Sequence, residues 1–158
     1  MRRLLSLSVF ALAGCGGGSV SKLPDDPDRV TVFSIDAPGL QKNDGYLTEA
    51  QKGGEILYGY PVLGKVEVAD PDQRRAIVAA LKDGAKGEGP TASCFQPRHV
   101  VRIEREGGVL DVVICFQCWN HQVRRADDGK ALAGGRMAKD AEPILNKLLA
   151  DAKVPIAP

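Results

Sequence analysis

Two short cysteine motifs bracket a β-hairpin signal, and that arrangement constrains the fold of this chain more than any other feature. Cys94-Phe95-Gln96-Pro97-Arg98-His99 lies on one side and Cys115-Phe116-Gln117-Cys118-Trp119 on the other. Between them, His99–Arg105 and Val109–Cys115 are rich in β-branched residues and flank Glu106-Gly107-Gly108, a sequence suited to a tight turn. If Arg105 pairs with Val109, folding about Gly107 sets His99 opposite Cys115 and carries Cys94 toward Cys118. A slip of one residue still leaves all four side chains at the same end of the ribbon. The near-continuous apolar run of the second strand predicts a central place in its sheet.

The remaining elements are read from periodicity and caps. Arg29–Ile35 alternates and predicts a first strand, ended by turn chemistry at Asp36-Ala37-Pro38-Gly39. Residues 40–56 are mixed and polar and predict no element, while Ile56–Tyr60 and Gly64–Val68 read as short extended pieces around Pro61. Asp70 is a good N-cap, Pro71 fits the first helical position, and Asp72 complements the helix dipole. Ile77, Val78 and Leu81 form an apolar stripe and Gly84 supplies the stop. Trp119–Arg125 prolongs the sheet before a turn at Asp127-Asp128-Gly129-Lys130. A second amphipathic helix is predicted over Asp140–Ala152, with Pro143 in its first turn and Ile144, Leu145, Leu148 and Leu149 on one face. The fold class expected is α+β: a small antiparallel sheet with two packed amphipathic helices.

The N-terminus gives an address. Arg2 and Arg3 form a basic region, Leu4–Leu12 is apolar but too short to span a bilayer, and Leu12-Ala13-Gly14-Cys15 matches a bacterial lipobox. Residues 1–14 are thus expected to be a lipoprotein signal peptide, with the Cys15 thiol taking a diacylglycerol. Three acyl chains, palmitate among them, suffice for stable anchoring. Residues 15–28, Gly-rich and then Pro/Asp-rich, read as the lipidated cysteine and a flexible linker with a reach of about 20 Å. Residues 29–158 then make a single domain. Gly16, where an aspartate would signal inner-membrane retention in a Gram-negative cell, points to the outer membrane facing the periplasm. Removing the two signal arginines leaves 19 Lys+Arg against 20 Asp+Glu. That balance argues against a nucleic-acid partner or a polybasic grip on lipid. The membrane is the expected partner, through the N-terminal lipid, and a protein or small-molecule partner is left open.

Cys94, His99, Cys115 and Cys118 admit three readings. Cys-x4-His…Cys-x2-Cys has the ligand count and short turn of a structural zinc site, with His121 as a competing fourth ligand. In the oxidising compartment outside the cytoplasm, two of the three cysteines are instead a disulfide such as Cys94–Cys118 or Cys94–Cys115, with one thiol left over. The third reading is a redox dithiol at Cys115 and Cys118. It is the weakest, because Cys115 ends a strand rather than opening a helix. Trp119 after Cys118 disfavours covalent haem, which needs histidine there. Spacing and compartment do not separate the first two. Phe95, Phe116 and Trp119 read as packing around the cluster, Pro97 as a bend, and Arg98 as a solvated cation. Asp111 either faces solvent at an edge or pairs with Arg102 or Arg105.

Cys-Phe-x-Pro-Arg-His followed by Cys-Phe-x-Cys resembles a family of small, uncharacterised secreted or lipid-anchored bacterial proteins. The likeness extends to Tyr60-Pro61-Val62-Leu63-Gly64, the helix opening at Asp70-Pro71 and the closing helix before Pro155, over roughly residues 56–156. It implies no activity and no cofactor, so it assigns no role to any residue. Two histidines, and no phosphate loop or hydrolase or metalloprotease motif, weigh against an enzyme. The function expected is a membrane-anchored envelope lipoprotein whose cluster stabilises a non-enzymatic binding or structural module. The alternative is a thiol-redox or metal-dependent enzyme using Cys115, Cys118 and His99.

Overall fold

In the computed structural model, which describes residues 20–37, 53–87 and 89–157, the alternating runs build an antiparallel sheet accompanied by two helices. The signal segment, Cys15 and the turn residues Pro38 and Gly39 lie outside the described residues. The strands are β1 (Arg29–Ile35), β2 (Ile56–Leu57), β3 (Tyr60–Glu67), β4 (His99–Arg105), β5 (Gly108–Cys115), β6 (Asn120–Arg125) and β7 (Ala131–Arg136). The helices are α1 (Pro71–Gly84) and α2 (Glu142–Asp151). The sheet has seven strands in the order β2-β3-β1-β4-β5-β6-β7, larger than the sequence reading expects. The class is α+β. No helix among the described residues is long and apolar enough to cross a membrane.

Side chains alternate across the sheet, and the two faces bury different sets. Val30, Val32, Val101, Ile103, Val112, Ile114 and Val123 join Ile77, Val78 and Leu81 of α1 and Leu145 and Leu149 of α2 in the main core. Phe33, Ile35, Val100 and Val113 form a second cluster on the other face, with Tyr58, Tyr60, Val62 and Phe95 against it. β5 therefore serves both cores, which explains its near-continuous apolar run. α1 opens as its sequence predicts: the Asp70 carboxylate accepts the Asp72 N–H at 2.9 Å, with Pro71 as the first helical residue. In α2 the expected stripe loses only Ile144, which is exposed; Leu145 and Leu149 are buried and Leu148 packs against the same core at its edge.

The β4–β5 turn is tighter than the sequence reading has it. Its two residues are Glu106 and Gly107, the latter at φ +98°, so Arg105 pairs with Gly108, Arg102 with Asp111 and His99 with Ile114. Glycine at the left-handed position is what permits the shorter turn. The one-residue difference has a large effect, since a slip by one moves a side chain to the opposite face. His99 now shares the helix-covered face with Val101 and Ile103, while Cys115 follows Asp111 and Val113 on the other. The slip also makes Asp111 a direct cross-strand partner of Arg102, one of the two arginines expected to pair with it.

Other differences have local causes. Extended structure does not run through Ile56–Tyr60, because Tyr58 (φ +55°) and Gly59 (φ +84°) form the turn between β2 and β3. β3 instead continues through Pro61, whose carbonyl accepts the Asp36 N–H at 2.9 Å. β7, Ala131-Leu132-Ala133-Gly134-Gly135-Arg136, carries little intrinsic strand preference, so only its pairing with β6 makes it a strand.

The expected linker also needs correction. Val20, which opens the short 3-10 turn Val20–Lys22, and Leu23, which follows it, are 5% and 2% exposed and belong to the main core. Asp26 pairs with Arg75 at 3.0 Å and Asp25 with Lys82 at 2.5 Å, so the acidic run lies along α1. Asp28 donates its N–H to the Glu104 carbonyl at 2.9 Å, and its carboxylate accepts the Glu106 N–H at 3.0 Å. Residues 20–28 are therefore a strap on the domain, which begins before Arg29.

Candidate functional site

Cys115 pairs with Asn120 where β5 meets β6, so Phe116–Trp119 forms the connecting loop. Cys115 and Cys118 are joined by a disulfide across it, in place of the expected pairings of either with Cys94. The Cys118 N–H donates to Cys115 Sγ at 3.1 Å, and Trp119 takes φ +52° to bring the chain back into β6. Both half-cystines are buried, at 1% and 3% exposure. Neighbouring backbone holds the loop in place: Met137 N–H donates to the Trp119 carbonyl at 3.1 Å and Ala92 N–H to the Cys118 carbonyl at 3.0 Å.

That last bond draws in the segment leading to Cys94. Cys94 is a free, exposed thiol whose Sγ lies 3.7 Å from Cys118 Sγ. Arg136, at the end of β7, ties the same segment from the other side by donating to the Pro90 carbonyl at 2.8 Å. Its guanidinium also sits 4.5 Å from the centre of the Trp119 ring, with Lys139 Nζ 5.3 Å from it. Trp119 is thus a partly exposed ring framed by two cations, and not the buried packing residue its position suggests. The three sulfurs form one cluster at the end of the sheet opposite the Glu106-Gly107 turn.

The two histidines stand apart from it. His99 is buried on the helix-covered face, with Nε2 2.8 Å from Asn146 Oδ1 of α2 and its ring edge-on to Phe116 at 5.4 Å. Desolvation pushes its pKa down to about 4, outweighing the Asn146 bond. The neutral ring donates from Nε2–H to Asn146, which leaves Nδ1 an acceptor with no partner among the described residues. Ser34, its register partner on β1, likewise keeps a buried Oγ without a partner among the described residues. His121 is also buried, its Nδ1 3.1 Å from the Arg136 carbonyl, and burial again lowers its pKa.

These placements bear on the zinc reading. Cys94, Cys115 and Cys118 come together, but His99 is turned to Asn146 and His121 to the β7 backbone. With Cys115 joined to Cys118, no group of three or more His, Cys, Asp or Glu among the described residues is arranged to hold a metal ion. The residues as placed do not fit a tetrahedral Cys3His site.

A second polar cluster holds the expected pair of Asp111 with Arg102 and adds Tyr58, which sequence reasoning missed. That carboxylate is fully buried, takes two bonds from Arg102 at 2.9 and 2.8 Å, and accepts the Tyr58 hydroxyl at 2.7 Å. Burial, with the bond to Asp111, pushes the Tyr58 phenol well above its ordinary range. The arrangement is a satisfied ion pair that ties the β2–β3 turn to the sheet, with Arg124 5.0 Å from the Tyr58 ring centre. Tyr58 gives no local signal of this role. Asn146 does: it is the polar residue set between Leu145 and Leu149 on α2. At the turn end of the sheet an open cleft of about 830 Å³ is lined by Lys22, Pro24, Arg105, Val109, Arg125 and Leu132. No family model, curated protein or solved structure matches this chain.

Proposed function

We propose that this chain is a lipid-anchored envelope protein whose functional centre is the Cys94/Cys115/Cys118 cluster, with thiol–disulfide exchange as its chemistry. The lipobox ending at Cys15 supports the anchor, and Gly16 supports the periplasmic face of the outer membrane. The observation that carries the chemistry is a free, exposed cysteine 3.7 Å from one sulfur of a buried Cys-x2-Cys disulfide. Oxidised and reduced sulfur at that spacing is what exchange requires, whereas a staple needs only its two half-cystines. His99 takes no part as a base in this reading, since its ring is buried on the helix-covered face, away from the face that Cys115 follows.

The burial of Cys115 and Cys118 favours a second reading, a non-enzymatic binding or structural module in which the disulfide closes the β5–β6 loop. Equilibration of the folded protein in glutathione buffers, with thiols counted after acid quench, separates the two. An exchange centre gains two thiols at a poise above about −300 mV; a structural staple stays oxidised there. Stoichiometric zinc, with three thiols free after unfolding, would refute both readings. Parallel fractionation of the wild type and Cys15→Ala tests the anchor: only the wild type should partition with membranes.

A further inference from the structure

We infer that Cys94 is the gateway thiol of this centre: its thiolate attacks Cys118 Sγ and moves the disulfide from Cys115–Cys118 to Cys94–Cys118. The inference rests on the exchange reading above and assigns it a nucleophile, a direction and a class of substrate. As the Cys94–Cys118 bond forms, the Cys115–Cys118 bond breaks and its electron pair leaves on Cys115 Sγ. Cys115 then takes up the proton that Cys94 gave up. One disulfide and one thiol are present before and after, so the step needs no external oxidant or reductant.

Geometry selects both the sulfur attacked and the sulfur released. Cys94 Sγ lies 3.7 Å from Cys118 Sγ, held there by the Ala92–Cys118 backbone bond. Cys115 Sγ accepts the Cys118 N–H at 3.1 Å, a donor already aimed at the atom on which negative charge develops. A better-stabilised thiolate leaves faster.

Access then changes. In the resting arrangement the disulfide joins two sulfurs of residues 1% and 3% exposed, out of reach of a solvent thiol. After the shift one of its sulfurs belongs to exposed Cys94. A thiolate from solvent attacks Cys94 Sγ, forms a mixed disulfide with it and releases Cys118 as a thiolate. The substrates are therefore solvent-borne thiols, and a dithiol can resolve the mixed disulfide with its second sulfur. Arg136 and Lys139 beside Trp119 place positive charge at the same end of the sheet, which favours thiols carried by anionic molecules.

Disulfide mapping by mass spectrometry on the full-length chain tests this, with Cys15 followed on its own peptide. Under slow alkylation at neutral pH the wild type should yield two products: labelled Cys94 with Cys115–Cys118 linked, and labelled Cys115 with Cys94–Cys118 linked. Cys115→Ser should carry the Cys94–Cys118 bond. In Cys94→Ser and Cys94→Ala, changes at an exposed position, reduction of Cys115–Cys118 by glutathione should slow at least about tenfold relative to wild type. Unchanged reduction in both Cys94 variants, or a Cys115→Ser chain lacking the Cys94–Cys118 bond, overturns the gateway role and leaves the exchange reading standing. A wild-type disulfide that glutathione never reduces without unfolding overturns the exchange reading itself.

Discussion

Lowering the pH should destabilise this fold chiefly through one buried imidazole. His99 is 1% exposed, and desolvation holds its pKa near 4 against an ordinary 6.5, the Asn146 bond opposing that shift only in part. In the unfolded chain the ring takes a proton at about 6.5, whereas in the folded chain it does not do so until about 4. Between those values the unfolded state binds more protons, so stability is full above the upper value and falls as pH drops. Each pH unit in the window costs about 1.4 kcal/mol, and the whole window about 3 kcal/mol. His121, also held low by burial, adds a loss of the same sign. Carboxylates titrate near the bottom of the window, so the diagnostic quantity is a difference between proteins. His99→Gln keeps an amide N–H for Asn146 and removes the titration. Urea unfolding of both proteins from about pH 7.5 to about pH 4.5 should show the wild type losing about 2.5 kcal/mol more than the variant. Parallel stability curves would refute the assignment of a buried neutral imidazole.

Three further outcomes follow from the packing. Leu23→Ala should cost about 2–3 kcal/mol in chemical denaturation, as for a truncated core leucine, whereas a residue on a free tether would cost nothing measurable. Asp111→Ala strands a partly buried Arg102 and the Tyr58 hydroxyl and should cost about 3 kcal/mol; Asp111→Asn, which keeps an acceptor for one of them, should cost clearly less in the same assay. Gly107→Val forces a β-branched residue into φ +98° and should lower the melting temperature by several degrees, a loss of about 1–2 kcal/mol measurable by calorimetry.

The fold was legible where one element's own residues decide its state. Arg29–Ile35 alternates and is β1 with those bounds; Asp70-Pro71 fixes the start of α1, and the paired apolar runs give β4 and β5. Legibility failed where the decisive partner is distant in sequence. Ala131–Arg136 becomes a strand because β6 offers it hydrogen bonds, and at Gly134 a Cβ would lie 2.7 Å from the His121 carbonyl, so only glycine fits there without a backbone shift. Val20 and Leu23 look like linker in a Gly/Pro/Asp-rich stretch, yet one short turn places both on the core. At the cluster, composition and hairpin signal sufficed to gather three cysteines at one end. They did not fix which two bond, because that depends on how the Phe116–Trp119 loop closes between β5 and β6. The one-residue choice of turn between β4 and β5 separated His99 from the sulfurs and joined Asp111 to Arg102.

The strap also fixes how a lipidated chain would stand on its membrane. Only Gly16-Gly17-Gly18-Ser19 separates Cys15 from buried Val20, a span of at most about 17 Å when fully extended. The strap runs to the turn end of the sheet: Asp28 bonds Glu104 and Glu106, and Lys22 and Pro24 line the cleft there with Arg105 and Arg125. With Cys15 acylated, that end is held near the lipid headgroups. The sulfur cluster lies at the other end of β4 and β5, about 20 Å away along the strands, facing water. Trp119 sits beside Cys118 at that far end, is 36% exposed and is the chain's single tryptophan, so its fluorescence reports the geometry without labelling. In the lipidated protein reconstituted into vesicles, aqueous acrylamide should quench Trp119 and lipids bearing a headgroup or shallow-chain spin label should not. Inserting a long Gly/Ser segment after Ser19 should leave both results unchanged. Quenching by the labelled lipids would mean that the cluster faces the bilayer, and solvent-borne thiols would then have to be replaced by membrane-bound ones as its substrates.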